Sequence, residues 1–285
     1  MEVQKRNKFM ITEQVAVIIL NYKSWEDTLK EAQMIHDLYN LEWHQVIIID
    51  NASPNDSEEK LKEKIIGEYV FIESGKNTGY AAGNNIGLRY AYNNGYKYGW
   101  ILNNDIIIDD PSFLSEVLRV FHEDPMIAVV NPDIYSPEGY QFNRDSKRPS
   151  FYDMTIGMNS YRWKGRQLDD LGGYGYIYRP QGCCMVLDLE KGNSVGFLDE
   201  TTFLYCEEPI YAERLLVKGW KCACLSMARV IHNHSKTVKT SIGKWEVIKT
   251  QNRSFNYYLK EYRGYGVIKR FICLLFYSAK NYITN

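Results

Sequence analysis

Short, unbroken apolar runs alternate with segments of helical periodicity, and this alternation constrains the chain more than any other feature. Val15–Leu20 and Val46–Ile49 are continuous apolar runs of strand length, as strands buried on both faces require. Between them Leu29, Ala32, Ile35 and Leu38 recur at helical spacing over residues 25–38. The pattern then predicts a charged helix over 57–66, a strand over 69–72, a helix over 79–94 and a strand over 98–102. Strands and helices alternating at these lengths imply parallel strands joined by crossover helices. Residues 15–131 are therefore expected to form an open α/β sheet.

Beyond Pro132 the periodicity fades. Residues 135–180 hold many Tyr, Gly, Arg and Asp with little pattern, as in a functional insertion or a mobile loop. A strand is expected at 182–187 and a helix at 207–218, ended by Gly219. A helical tail is expected from about 241 to 285.

Composition narrows the class of partner. With 45% hydrophobic and 24% charged residues the chain is an ordinary globular protein, one large domain or one domain with an appendage. Lys and Arg (34) balance Asp and Glu (35) for a net charge of -1, so no uniform field draws the protein onto nucleic acid. Met1–Gln14 is polar and lacks the apolar core of a signal peptide. No run approaches the about 20 apolar residues of a spanning helix. The six cysteines show no CxxC pair, which fits reduced thiols in a cytoplasmic protein.

In an open parallel sheet, ligands bind beyond the carboxyl ends of the strands. Polar clusters stand at three such ends: Asn21-Tyr22-Lys23-Ser24, Asp50-Asn51 and Asn103-Asn104-Asp105. Together they suit a polar ligand spanning several strands, although Asn and Asp also serve turns and helix caps. No GxGxxG follows the first strand and no GxxxxGK[ST] loop occurs, against a dinucleotide oxidoreductase and a P-loop enzyme. Gly79, Gly83 and Gly87 share one helical face in Asn77–Gly87, leaving room for a strand or a nucleotide. Asp105 can hold a hard divalent cation bridging phosphates, or cap the segment before Asp109-Asp110-Pro111. Glu207-Glu208 suits both a helix N-terminus and a general base at a cleft. His232 or His234 can complete a metal site; His36, His44 and His122 read as surface residues.

In this order, the stretches VAVIILNYKSWEDT, VIIIDNASPNDS, NTGYAAGNNIG, WILNNDIIID, GCCMVLD, GFLDETTFLYCEE and VIHNHSKT resemble the family 2 glycosyltransferases. The likeness is to inverting bacterial rhamnosyl- and galactosyltransferases of polysaccharide synthesis, over residues 15–237. It implies the GT-A fold, α/β with a Rossmann-like, mostly parallel central sheet flanked by helices. The catalytic domain would be 1–237, with a donor-binding half at 15–131 and an acceptor-binding half at 132–237. Residues 238–285 would be a C-terminal helical extension.

The resemblance further implies a UDP- or dTDP-sugar donor, a glycan acceptor that is oligosaccharide or lipid-linked, and Mn²⁺ or Mg²⁺. Asn21, Asp50, Asn77, Gly79, Gly83, Asn84, Asn104 and Asp105 would bind the nucleotide-sugar. Asn103-Asn104-Asp105 takes the place of the DxD motif without its first aspartate; Asp105 and His232 would hold the metal, with His234 as second choice. Glu208 would be the catalytic base, a longer carboxylate than the family's usual aspartate. The basic, aromatic C-terminal helix would lie on the inner face of the plasma membrane, or pack on the catalytic domain or in a homodimer. Two rivals stand beside this reading. One is a sugar nucleotidyltransferase, whose Gly-rich, Arg-containing first loop is missing here. The other is a catalytically degenerate nucleotide-sugar-binding scaffold subunit.

Overall fold

The computed structural model describes residues 14–65, 69–141, 143–158, 168–233 and 243–284. The first elements follow the expected alternation: β1 (Val15–Asn21), α1 (Trp25–Tyr39), β2 (Val46–Asp50), α2 (Ser57–Ile65), β3 (Val70–Glu73), α3 (Tyr80–Asn93) and β4 (Tyr98–Leu102). Their strands lie in the order β3-β2-β1-β4, all parallel. Each crossover helix places the next strand in the same direction, so every carboxyl end opens on one edge.

Apolar side chains alternate along β1 to opposite faces. Val15, Val17 and Ile19 join a core with Ala32 and Ile35 of α1. Ala16 and Ile18 join a second core with Ala81, Leu88 and Ala91 of α3. Burial on both faces is why this strand reads as a continuous apolar run, each large side chain contributing about 1.5–3 kcal/mol.

The sheet continues with β5 (Ile106–Ile107), β6 (Ile127–Tyr135), β7 (Tyr174–Ile177), β8 (Cys184–Asp188) and β9 (Lys221–His232). In this half the pairing is mixed. β8 runs antiparallel to both β4 and β6, whereas β6 and β9 are parallel with a register shift between Pro132 and Asp133. Two short strands, β7 and β5, pair antiparallel with successive parts of β9. The sheet is thus parallel among β1–β4 and mixed beyond them.

Helices α4 (Phe113–Glu123), α5 (Leu189–Ser194) and α6 (Glu207–Val217) cover this half. The sequence reading assigns no element to 113–123, although Phe113, Leu114, Val117, Leu118 and Phe121 are buried at helical spacing. Strand β7 interrupts the stretch expected to be irregular, its pairing set by β9 rather than by local pattern. All six cysteines are free thiols.

The tail is a pair of helices, α7 (Lys244–Tyr257) and α8 (Val267–Thr284), joined by a π-helical turn at Tyr258–Tyr262. Phe255, Tyr258, Leu259 and Cys273 form a third core with Ile210 of α6 and Met154. A buried polar network anchors the same segment. Arg148 grips Glu213 through two 2.7 Å hydrogen bonds, and Tyr178 donates to Glu213 Oε1 at 2.7 Å. The Tyr178 and Tyr258 hydroxyls lie 2.9 Å apart, and Arg263 Nη1 donates to Tyr258 Oη at 2.9 Å. Among the described residues no helix is long and apolar enough to cross a membrane.

Candidate active site

The carboxyl ends of β1 and β2 meet because Asn21 pairs with Asp50 in the parallel register. Both side chains are buried. Asn21 Nδ2 donates to Asp50 Oδ1 at 2.6 Å, and Thr28 Oγ1 donates to Asn21 Oδ1 at 2.8 Å. Ser53 also donates to Asp50, from Oγ to Oδ1 at 2.7 Å and from its amide to Oδ2 at 2.9 Å. Buried carboxylates persist only when hydrogen-bonded in this way. Asn104 extends the network: its Nδ2 donates to Thr28 Oγ1 at 2.8 Å and Ser24 Oγ at 2.9 Å. Three strand ends separate in sequence are therefore tied into one polar floor; Ser24 belongs to it as the strand-end cluster suggested, and so do Thr28 and Ser53, which the sequence reading does not single out.

The Asn77–Gly87 segment adjoins this floor. Asn51 Nδ2 and the Gly79 amide both donate to Asn77 Oδ1 at 3.1 Å. Asn84, fully buried, donates to the Tyr80 carbonyl at 3.0 Å. The glycines resolve toward packing. A Cβ on Gly83 would lie 2.6 Å from Leu20, and one on Gly87 would lie 2.6 Å from Ile18, so α3 sits directly on β1. Gly79, at φ +95°, has no room either, since a Cβ would fall 2.0 Å from the Phe203 carbonyl oxygen. Their missing side chains bring α3 and the loop before α6 close to the sheet.

Asp105 follows β4, and the pairing of Ile106 with His232 sets it beside β9. His232 Nε2 lies 3.1 Å from Asp105 Oδ1. Nearby on α1, Glu31 is buried and pushed up to about 9, first by burial and then by the charge of Asp105. Glu31 is accordingly neutral at pH 7. His234 lies outside the described residues.

His232 also borders a cavity of about 620 Å³ whose walls include Asn103, Tyr80, Gln181, Glu207, Glu208 and Tyr258. Residues Tyr205 and Cys206, both at positive φ (72° and 67°), turn the chain so that α6 begins at the cavity wall. Positive φ at successive non-glycine residues stores strain that the surroundings must hold. Glu208 Oε1 accepts from Gln181 Nε2 and the Gly182 amide, each at 3.3 Å. Tyr80 Oη donates to the Gly182 carbonyl at 2.7 Å and so fixes that turn.

Glu207, only 4% exposed, is pushed up to about 8, by burial first and then by the neighbouring Glu208 charge. Glu207 is therefore protonated at neutral pH. Glu208 is the partly exposed member, at the cavity wall.

Asp105 and His232 bring one carboxylate and one imidazole into contact, with His232 lining the cavity. That donor set suits a divalent cation such as Mn²⁺, provided that phosphate or water oxygens fill the remaining positions. Among the described residues no group of three or more His, Cys, Asp or Glu side chains is placed to hold a metal by itself. The pair fits a cation shared with a bound diphosphate rather than an all-protein cage.

A sheet of this topology, with polar strand ends, a carboxylate after β4 and a carboxylate cavity beside it, defines a glycosyltransferase of the GT-A class. The glycosyl transferase family 2 profile matches residues 16–186, more than half of the chain, and the chain belongs to that family. It is 25% identical over 224 residues to the low-salt glycan biosynthesis hexosyltransferase Agl10 of Haloferax volcanii, covering 77% of this chain and 67% of that one. Among solved structures it resembles GalNAc-T7 with UDP, GalNAc and Mn²⁺, at a TM-score of 0.62 and 14% identity over 88% of this chain. The chain spans about half (49%) of that protein's length. It also resembles the mannosyltransferase PcManGT of Pyrobaculum calidifontis with GDP-Man and Mn²⁺, at a TM-score of 0.59 and 14% identity, covering 93% of this chain and 69% of that one. Both likenesses are of fold.

Proposed function

We infer that the protein is an inverting hexosyltransferase that moves a sugar from a UDP- or dTDP-sugar to a glycan acceptor in surface polysaccharide synthesis. One observation carries this reading: Glu208 and His232, with Asp105 in contact, border the same cavity beside the polar strand ends. Asp50, Asn21 and Asn77, with Asn84 and Asn104 behind them, would hold the nucleoside. Gly79 and Gly83 would shape that end by bringing α3 close. Asp105 and His232 would hold a Mn²⁺ or Mg²⁺ ion together with the diphosphate oxygens. When bound, such a cation offsets the charge that develops on the leaving diphosphate.

Glu208 accepts the proton of the acceptor hydroxyl as that oxygen forms its bond to the anomeric carbon. The bond from that carbon to the diphosphate oxygen breaks on the opposite face, which inverts the configuration. Gln181 and the Gly182 amide orient the Glu208 carboxylate through Oε1. The acceptor would enter from the wall built by Tyr178, Phe255, Tyr258 and Tyr277, and a lipid-linked oligosaccharide on the cytoplasmic face of a membrane suits its apolar and aromatic lining. The C-terminal helices thus belong to the acceptor side.

The test is nucleotide release from a panel of UDP-, dTDP- and GDP-sugars, with Mn²⁺, Mg²⁺ or EDTA and with a glycolipid extract as acceptor source. Metal-dependent release from one donor, with the opposite anomer in the product, is expected. Donor binding without release under any condition would favour a scaffold subunit.

A further inference from the structure

A carboxylate sits where its hydrogen-bond donors hold it, and at Glu208 those donors come from one dipeptide. Glu208 Oε1 accepts from the Gln181 side-chain amide and from the Gly182 backbone amide, each at 3.3 Å. Both bonds are at the long end of the useful range, so the carboxylate is only as well placed as Gln181-Gly182 itself. Each backbone polar group of that dipeptide has a partner. The Gly182 amide gives to Glu208. The other three are bound by two side chains from distant parts of the chain.

Asn131 binds two of the three. It is fully buried in β6, one residue past the pairing of Val130 with Val186, so its side chain continues what the β6–β8 ladder no longer does. Asn131 Oδ1 accepts from the Gln181 amide at 3.1 Å. Its Nδ2 donates to the Gln181 carbonyl at 2.8 Å and also to the Cys184 carbonyl. Tyr80 of α3 binds the third group, the Gly182 carbonyl, through Oη at 2.7 Å. It packs so closely that a Cβ on Gly182 would lie 3.0 Å from that hydroxyl. The Asn103 amide donates to the Cys183 carbonyl at 2.8 Å and ties the next residue to the end of β4. A buried group left unpaired costs about 1–3 kcal/mol, so the turn is held to one arrangement.

We propose that Asn131 and Tyr80 are positioning residues for the Glu208 base: by fixing Gln181-Gly182 they engage Oε1 and leave Oε2 to take the proton of the acceptor hydroxyl. The inference rests on the function proposed above, which makes Glu208 the base. Two donors occupy the lone pairs of Oε1, so the proton is received at Oε2. Asn131 does not line the cavity and acts through the turn alone. Displacing a reacting group by about 1 Å can lower a rate about 10²-fold, and that sets the scale expected when the turn is loosened.

The experiment compares turnover with donor binding in Tyr80→Phe and Asn131→Ala, by nucleotide release from the UDP-, dTDP- and GDP-sugar panel with glycolipid extract and by calorimetric donor titration. Tyr80→Phe removes one hydroxyl and keeps the ring, so it carries the test even where Asn131→Ala does not fold. In each folded variant kcat is expected to fall about ten- to a hundredfold with the donor Kd unchanged. Asn143→Ala is the control for losing a buried amide. Asn143 bonds the Pro132 carbonyl and the Ile134 amide at the register shift of β6, away from the turn. Its loss should lower the melting temperature and leave kcat as in wild type. Folded Tyr80→Phe and Asn131→Ala turning over at the wild-type rate, while Glu208→Gln does not, would overturn the proposal. So would a donor Kd that weakens in step with kcat, since the turn would then serve the donor site. Glu208→Gln turning over at the wild-type rate would instead overturn the assignment of the base, and the inference with it.

Discussion

Asp105 Oδ1 lies 3.1 Å from His232 Nε2, although β4 leads into the first and the far end of β9 supplies the second. The two meet because β5, two residues long, pairs Ile106 with His232. If this pair holds the cation, Asp105→Ala and His232→Ala should each weaken Mn²⁺ binding and lower turnover. The double variant should lose less than the product of the single effects, since both remove one interaction. Calorimetric Mn²⁺ titration in the presence of the nucleoside diphosphate checks this.

Glu208→Gln keeps the size of the side chain and removes its ability to accept a proton. A positioned base contributes about 10²–10⁴-fold, and turnover should fall by that amount with donor affinity unchanged. Steady-state kinetics with direct measurement of donor binding separates the two.

Glu207 gives a prediction with a defined sign. Its folded pKa is raised from 4.5 to about 8 by burial and by Glu208. The folded state therefore holds the proton more tightly than the unfolded chain, and the stability this confers is complete below about pH 4.5 and lost as pH rises through 8. Glu207→Gln mimics the neutral acid and should flatten this decline, making the variant more stable than wild type at pH 9. Thermal melting across pH 5–9 reads it out, and turnover at pH 7 should survive.

Removing the Asn21 side chain leaves Asp50 and Thr28 short of a buried partner. Asn21→Ala should cost about 1–3 kcal/mol for each group left unsatisfied. Urea denaturation gives the stability. Donor binding should weaken as well, because Asn104 hangs on the same network through Thr28.

Gly79→Ala meets two obstacles at once, a left-handed φ and the Phe203 carbonyl oxygen 2.0 Å from the new Cβ. Strain of the backbone alone is worth about 1–3 kcal/mol. Gly75→Ala, at φ +70° with nothing within 4 Å, carries only the conformational part. The difference between their melting temperatures isolates the clash.

Residues 15–102 were readable because their signals are local. Val15–Leu20 is apolar throughout since both faces of β1 are covered, and β2, β4 and α3 announce themselves in the same way. The second half was less so. Strand β7 is defined by its partner β9, and the two-residue β5 exists only because β9 runs past it, so neither leaves a periodic trace. Helix α4 did leave one, in Phe113, Leu114, Val117, Leu118 and Phe121, and an apolar count over that stretch would have found it. Of the site, Asp50, Asp105, Glu208 and His232 were visible as polar residues at strand or helix ends. The supporting Thr28 and Ser53 were not, because their role comes from what they touch.

By itself the sequence determined the alternation of strands and helices, and with it the single edge on which the polar strand ends open. Periodicity and turn chemistry act over a few residues and survive in a linear text. The tertiary structure decided the rest: that Glu207 is the buried acid and Glu208 the accessible one, that the glycine face of α3 packs on β1, and that the C-terminal helices wall the cavity. Burial, desolvation and register are properties of groups brought together from distant parts of the chain, and they exist only once the chain has folded.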